Sequence, residues 1–291
     1  MKQATPGGRA YGDRMRYLRC ITGFAVAICA LAAPAGATDL DDLYQSVTIV
    51  TGNDERNRPA GFRDCLDRVL VRVSGDQRLP TLPAMAEPRA HAGSFVASFS
   101  YRDRLAGRPI HDEQGTYDRP HDLTCRYEPA VIDGLLRQLG SRPWRADRPP
   151  LSIFLNVNRG TTTYAVDRDQ QRDLAMRQAF EQAATPLAFT VAFPTEAEIK
   201  STLSASRRTR PGDLEPSDIP PAFATPVIGH LTWSDKDLGW VARWEIGNGA
   251  APITWEVRGV NFDEAFRVAI RGVAQILSGN GDPPAFASAG R

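Results

Sequence analysis

Between residues 227 and 258, three runs (227–233, 239–246 and 252–258) alternate apolar with polar side chains, separated by the turn-rich pieces "SDKDL" and "GNGAA". A period of two belongs to a strand with one buried face, so these runs are read as a three-stranded meander. One face carries Leu231, Trp233, Trp240, Ala242, Trp244, Ile246, Ile253, Trp255 and Val257, and the other His230, Thr232, Arg243, Glu245, Thr254, Glu256 and Arg258. Four of the chain's five tryptophans lie in this stretch, all on the apolar side. They are therefore expected in a core rather than on a ligand platform. The helix to cover them is "NFDEAFRVAIRGVAQIL", which presents Phe262, Phe266, Ala269, Val273 and Leu277 at helical spacing. On the polar face, Arg243 and Glu245 on one strand and Glu256 and Arg258 on its neighbour are expected to form cross-strand pairs. That face is the candidate interaction surface.

The pattern extends upstream. Leu151, Ile153, Leu155 and Val157 alternate as a strand, "DQQRDLAMRQAFEQAATP" follows as a helix, and "LAFTVAFP" reads as another strand. Thr195 and Glu198 have the spacing of a capping box. The proline-loaded segment 207–221 is expected to be a mobile surface loop. Before all of this, "SRPWRADRPP" (Ser141 to Pro150) marks a domain boundary. On its amino-terminal side, Leu43, Val47 and Ile49 alternate as a half-buried strand. Pro59 suits the first turn of a helix that carries Phe62, Cys65, Leu66, Val69 and Val73 on one face and stops at Gly75. Strands are expected in "GSFVASFSYR" and "DLTCRYEP", and a short helix in "AVIDGLLRQLG". The fold class is thus α+β: two small α/β sandwich-like domains, 38–145 and 149–280, each a mixed or antiparallel sheet covered by helices, with a disordered tail at 281–291.

The first 37 residues read as a signal peptide, giving an exported, periplasmic protein. A basic piece, "RMRYLRC", precedes the apolar run "ITGFAVAICALAAPAGA", and Ala35-Gly36-Ala37 is a small-x-small cleavage site, so the cut is placed after Ala37. A retained anchor is the other reading, but the apolar run is short of the ~20 residues a span requires. Met15 offers a second start for this segment. Residues 1–37 hold five of the 35 basic and one of the 34 acidic residues, which leaves 30 against 33 and a net charge of −3. That balance gives no electrostatic reason to expect nucleic acid or anionic lipid as a partner, and contact with a membrane is expected only through the signal peptide before cleavage. Cys65 and Cys125 are the cysteines beyond residue 37. In an oxidising compartment they are expected to bond to each other, the other reading being two independent buried thiols.

No GxSxG elbow, HExxH, Walker loop or GxGxxG occurs in the sequence, and no cofactor is implied. "HDEQGTYDRPHD" gathers His111, Asp112, Glu113, His121 and Asp122, which are metal-ligand types. The segment also holds Gly115 and Pro120 and has no regular spacing, so it is read as a polar hairpin loop with no metal site. His91 is placed between a loop and a helix, and His230 on the polar sheet face.

Taken together, "LYQSVTIV", "DRVLVRVSGD", "YEPAVIDGLLRQLGSRPW", "VIGHLTWSDKDLGWVARWEI" and "ITWEVRGVNFDEAFRVAIRGVAQIL" resemble the exported bacterial family known as domain of unknown function 2066. The resemblance spans most of residues 40–278 and brings no site residues with it. The second domain is also loosely similar to the amino-terminal domain of TolB and to LpoB-type envelope lipoproteins, a likeness that implies partner binding without chemistry. Three functions remain in view. The favoured one is a non-enzymatic binding or assembly module with an envelope protein as partner. The others are a periplasmic hydrolase, resting on the 111–122 cluster, and a small-ligand carrier with a site in the cleft between the domains.

Overall fold

The computed structural model describes residues 40–107, 119–248 and 251–283. The signal segment 1–37 and most of the tail expected at 281–291 lie outside them. So do His111, Asp112 and Glu113.

The described residues open with a turn of helix α1 (Leu40–Leu43) and strand β1 (Gln45–Thr51), followed by the long helix α2 (Arg58–Ser74). A short α3 (Ala86–Ala90) then leads to β2 (Val96–Asp103), β3 (Pro120–Tyr127) and α4 (Pro129–Gln138). The three strands form an antiparallel sheet in the order β1-β3-β2. Helix α2 carries Pro59 in its first turn and ends at Gly75, which takes a left-handed conformation at φ 74 that a side chain would resist. Cys65, Leu66, Val69, Leu70 and Val73 of α2 are fully buried, against Leu123 and Cys125 of β3.

Strand β1 presents the opposite face to the one its hydrophobic pattern predicts. Ser46, Thr48 and Val50 are buried, while Val47 and Ile49 are 45% and 56% exposed. The cause is the closeness of α2. A Cβ on Gly61 would lie 2.5 Å from Leu123 and 2.8 Å from Val50, so helix and sheet nearly touch there. Small hydroxyl residues fill the narrow gap beside it, and Ser46 Oγ donates to the Cys65 carbonyl at 2.8 Å.

The rest of the chain adds β4 (Leu151–Arg159), β5 (Thr162–Ala165), α5 (Leu174–Ala184), β6 (Val191–Ala192), α6 (Glu196–Ser206), β7 (Pro226–Ser234), β8 (Gly239–Asn248), β9 (Ala251–Val260) and α7 (Phe262–Leu277). Its mixed sheet runs β5-β4-β7-β8-β9, with β4 parallel to β7 and to the two-residue β6, and the remaining pairs antiparallel. The strand expected over 187–194 shrinks to β6 because Phe189 and Phe193, on either side of it, turn into the core. Thr195 and Glu198 form the capping box of α6.

The tryptophans fall as the alternation requires. Trp240, Trp244 and Trp255 are buried, and Trp233 is half-buried at the margin with its Nε1 donating to Asp235 at 2.8 Å. Phe180 of α5 stacks edge-on to Trp244 (5.7 Å) and tilted to Phe266 of α7 (4.7 Å), so both helices close over the same aromatic cluster. Burying each such ring stabilises by roughly 1.5–3 kcal/mol.

Strand β4 is buried on both faces, and its second face changes the reading of 207–221. Phe154 and Ile228 form a separate apolar cluster with Leu214 and Ile219 from that segment. Asn156 donates to the Pro211 carbonyl at 3.0 Å. The proline-loaded stretch is thus a packed cover, built on two 3-10 turns at Pro211–Asp213 and Pro216–Asp218.

The two sheets meet along a polar seam. Arg72 of α2 donates to the carbonyls of Thr185 (2.8 Å) and Pro186 (2.9 Å). Arg148, itself buried and stacked 4.1 Å over Trp144, donates to the Arg72 carbonyl at 2.7 Å. Burial, with help from the Arg72 charge, pulls the Arg148 guanidinium down to about 10, and it stays charged at neutral pH. Gln275 accepts from the Gln77 amide (2.8 Å), and Asn280 donates to the Ser74 carbonyl (3.0 Å). No helix among the described residues is long and apolar enough to cross a membrane.

Candidate functional site

The polar faces of β7, β8 and β9 are the floor of an open trough of about 810 Å³. Its wall is the segment from Arg207 to Glu215, held over the sheet by the Asn156–Pro211 bond and by Leu214. The register places His230, Arg243 and Glu256 in one cross-strand row, with Thr232 and Glu245 beside it.

The charges in this trough are unequally satisfied. On the wall, Arg208 pairs with Glu215 (3.3 Å) and Asp218 (3.0 Å), and Arg210 with Asp213 (3.0 Å). On the floor, Glu256 accepts from Arg258 at 2.6 Å along its own strand. The cross-strand pair expected between Glu256 and Arg243 therefore does not form, although the two residues are opposite each other. Among the described residues, Arg243 and Arg207 have no carboxylate within ion-pair reach. Glu245, expected on an exposed face, is 8% exposed beneath the wall.

That burial raises the Glu245 carboxyl, with Arg243 opposing the shift and Glu215 adding to it. The same floor lowers His230, through burial first and the Arg243 charge second. Both groups are thus biased toward their neutral forms beside a bare guanidinium. Arg207, Arg208 and Arg210 belong to this site, although the prolines that follow them predict a mobile surface loop. The signal was the basic run "RRTR" next to a segment with Leu214 and Ile219 spaced to anchor it.

The other candidates separate. Cys65 and Cys125 are bonded to each other, with Cα atoms 6.2 Å apart, and both are fully buried. His121 and Asp122 are neighbours on β3 and so point to opposite faces. His121 packs edge-on to Tyr101, with Nδ1 at 2.8 Å from the Arg119 carbonyl. Asp122 pairs with Arg102 (2.6 Å) and Arg104 (3.4 Å). Among the described residues no group of three or more His, Cys, Asp or Glu could hold a metal ion. A second trough, of about 610 Å³, lies along the seam between Val71 and Pro80 on one side and Ala183, Leu187 and Arg267 on the other.

The model of one family, the domain of unknown function DUF8605, matches residues 37–145. This corrects the resemblance to domain of unknown function 2066, because the matching family is a different one. No curated protein matches the chain, and no solved structure does, so the likeness to the TolB amino-terminal domain and LpoB-type proteins has no structural match behind it. The segments that suggested these families are alternating strands and amphipathic helices, which many unrelated α+β chains share.

Proposed function

We propose that this chain is a non-enzymatic binding or assembly module of the bacterial cell envelope, exported to the periplasm, and that it engages a protein partner through the trough on β7, β8 and β9. The observation that carries the reading is the unsatisfied charge on an accessible floor. Arg243 is exposed and unpaired at the centre of a preformed surface whose other charges are mostly neutralised in place. Such a group gains more from an incoming partner than one already in an ion pair, because no internal pair must first be broken. The buried Cys65–Cys125 bond supports export, since structural disulfides persist in oxidising compartments. The leader-like residues 1–37 support it independently.

The test is a photo-crosslinking residue placed at Thr232, which is exposed on the trough floor, in cells of the native host. The expected result is one envelope protein crosslinked in high yield, absent when Arg243 is changed to Glu. Background labelling alone, or labelling unaffected by R243E, would remove the reading. The carrier reading keeps one observation in its favour, the second trough along the seam. A small molecule co-purifying with the protein, and displaced by changing Ala183 to Trp in that trough, would favour it.

A further inference from the structure

The trough's charge pattern specifies what kind of group it can take. We propose, building on the module reading, that the floor at Arg243 receives a carboxylate of a partner polypeptide, from an acidic side chain or a free carboxyl terminus. Three observations carry this.

The first is the balance of unpaired groups. Arg243 and Arg207 are bare cations, whereas Asp213, Glu215 and Glu256 each have an arginine of their own. An anion is therefore favoured over a cation.

The second observation limits that anion's charge. The carboxylates of Asp213, Glu215 and Glu256 line the trough together with Arg243 on its floor and the arginines of its wall. A dianionic phosphate would meet repulsion from all three carboxylates, while a carboxylate carries one charge and matches the planar fork of one arginine.

The third is Glu245, more than nine-tenths buried, lining the trough and without a hydrogen bond or ion pair among the described residues. Its carboxyl oxygens stay open to the trough, where an incoming group can satisfy them. It faces the same space as Arg243, His230 and Thr232, so the floor offers a guanidinium fork and a hydroxyl to an acceptor-rich group. A trough of about 810 Å³, open along its length, suits a polypeptide segment better than an isolated acid.

The experiment is an NMR titration of the full chain carrying ¹⁵N-arginine, reading the Arg243 Nε–H signal. The probes are the capped peptide Ac-Ala-Ala-Asp-Ala-Ala-NH₂, its Asn analogue, the free acid Ala-Ala-Ala-Ala, acetate and inorganic phosphate. A saturable shift with the Asp peptide or the free acid, at least ten-fold weaker with the Asn analogue and with acetate, is the expected result. R243K, which keeps the charge and loses the fork, should weaken that binding several-fold. R243Q should abolish it, and R102Q on the other sheet should leave it unchanged. No saturable shift with any carboxylate overturns the inference. So does phosphate or acetate binding as tightly as the peptide, or R243Q binding as wild type. The two proposals fail separately. A partner captured at Thr232 with no peptide response leaves the module and removes the carboxylate. A peptide response with no captured partner does the reverse.

Discussion

The three-stranded sheet is covered by helix on one face, and its outer face carries Val47, Ile49, Arg102 and Arg126 to the surface. The larger sheet is covered on both faces along β4 and β7, by α5 and α7 on one side and by the Leu214–Ile219 segment on the other. The two have correspondingly different means of holding together. The larger sheet relies on an aromatic cluster that α5, α7 and β8 share. The smaller one has few strands and a thin interface with α2, and it is pinned by a covalent bond between that helix and its central strand, β3. Where a core is too small to secure itself, a crosslink substitutes for buried area.

Changing Trp244 to Ala should be the most damaging single substitution. It empties the cluster shared by β8, α5 and α7, and is expected to cost about 3–5 kcal/mol in urea unfolding. Four of the five tryptophans belong to the larger sheet and the fifth, Trp144, lies in the seam, so intrinsic tryptophan fluorescence is weighted toward the larger sheet. Replacing Cys65 and Cys125 together by Ala should cost about 4 kcal/mol, from a closed loop with a sequence separation of 60. The loss should be local. Circular dichroism is expected to register an early transition that fluorescence does not, whereas coincident transitions would mean that the sheets unfold as one.

Arg72→Ala removes two bonds across the seam and should cost about 1–3 kcal/mol, widening any gap between the two probes. The smallest effect is that of Glu245→Gln. The folded carboxyl of Glu245 lies above its ordinary value, so its contribution is fully present below the unfolded pKa of ~4.3 and is lost as pH rises through the folded one. Wild type and E245Q should therefore have similar relative stability at pH 4. By pH 7 the variant should have gained on the wild type in midpoint temperature.

Much of this organisation was legible in the sequence, and the reasons differ by region. In β7, β8 and β9 the buried face is lined with large apolar residues, so period two gave strand positions and facing together. In β1 the same rule gave the strand and inverted its facing. The gap under α2 admits Ser46 and Thr48, and hydroxyls that bond to backbone are invisible to a hydrophobic pattern. The site was half legible. Arg243, Glu245, Glu256 and Arg258 were found because they share a face. The wall was missed because prolines signal a loop, while the two residues that fasten it, Leu214 and Ile219, are apolar positions without periodicity. Which arginine stays unpaired depends on Glu256 turning to Arg258 rather than to Arg243, a side-chain choice that spacing does not determine.

The comparison also poses the functional question most sharply, since each sheet offers a face with exposed arginines. The direct measurement is capture of partners from mildly cross-linked cells with three versions of the full chain: wild type, R243E/R258E on the polar face of β8 and β9, and R102E/R126E on the outer face of the smaller sheet. A single envelope protein recovered with wild type and with R102E/R126E, and lost with R243E/R258E, is the expected result. Loss with R102E/R126E while R243E/R258E still captures would contradict the assignment and move the working face to the smaller sheet.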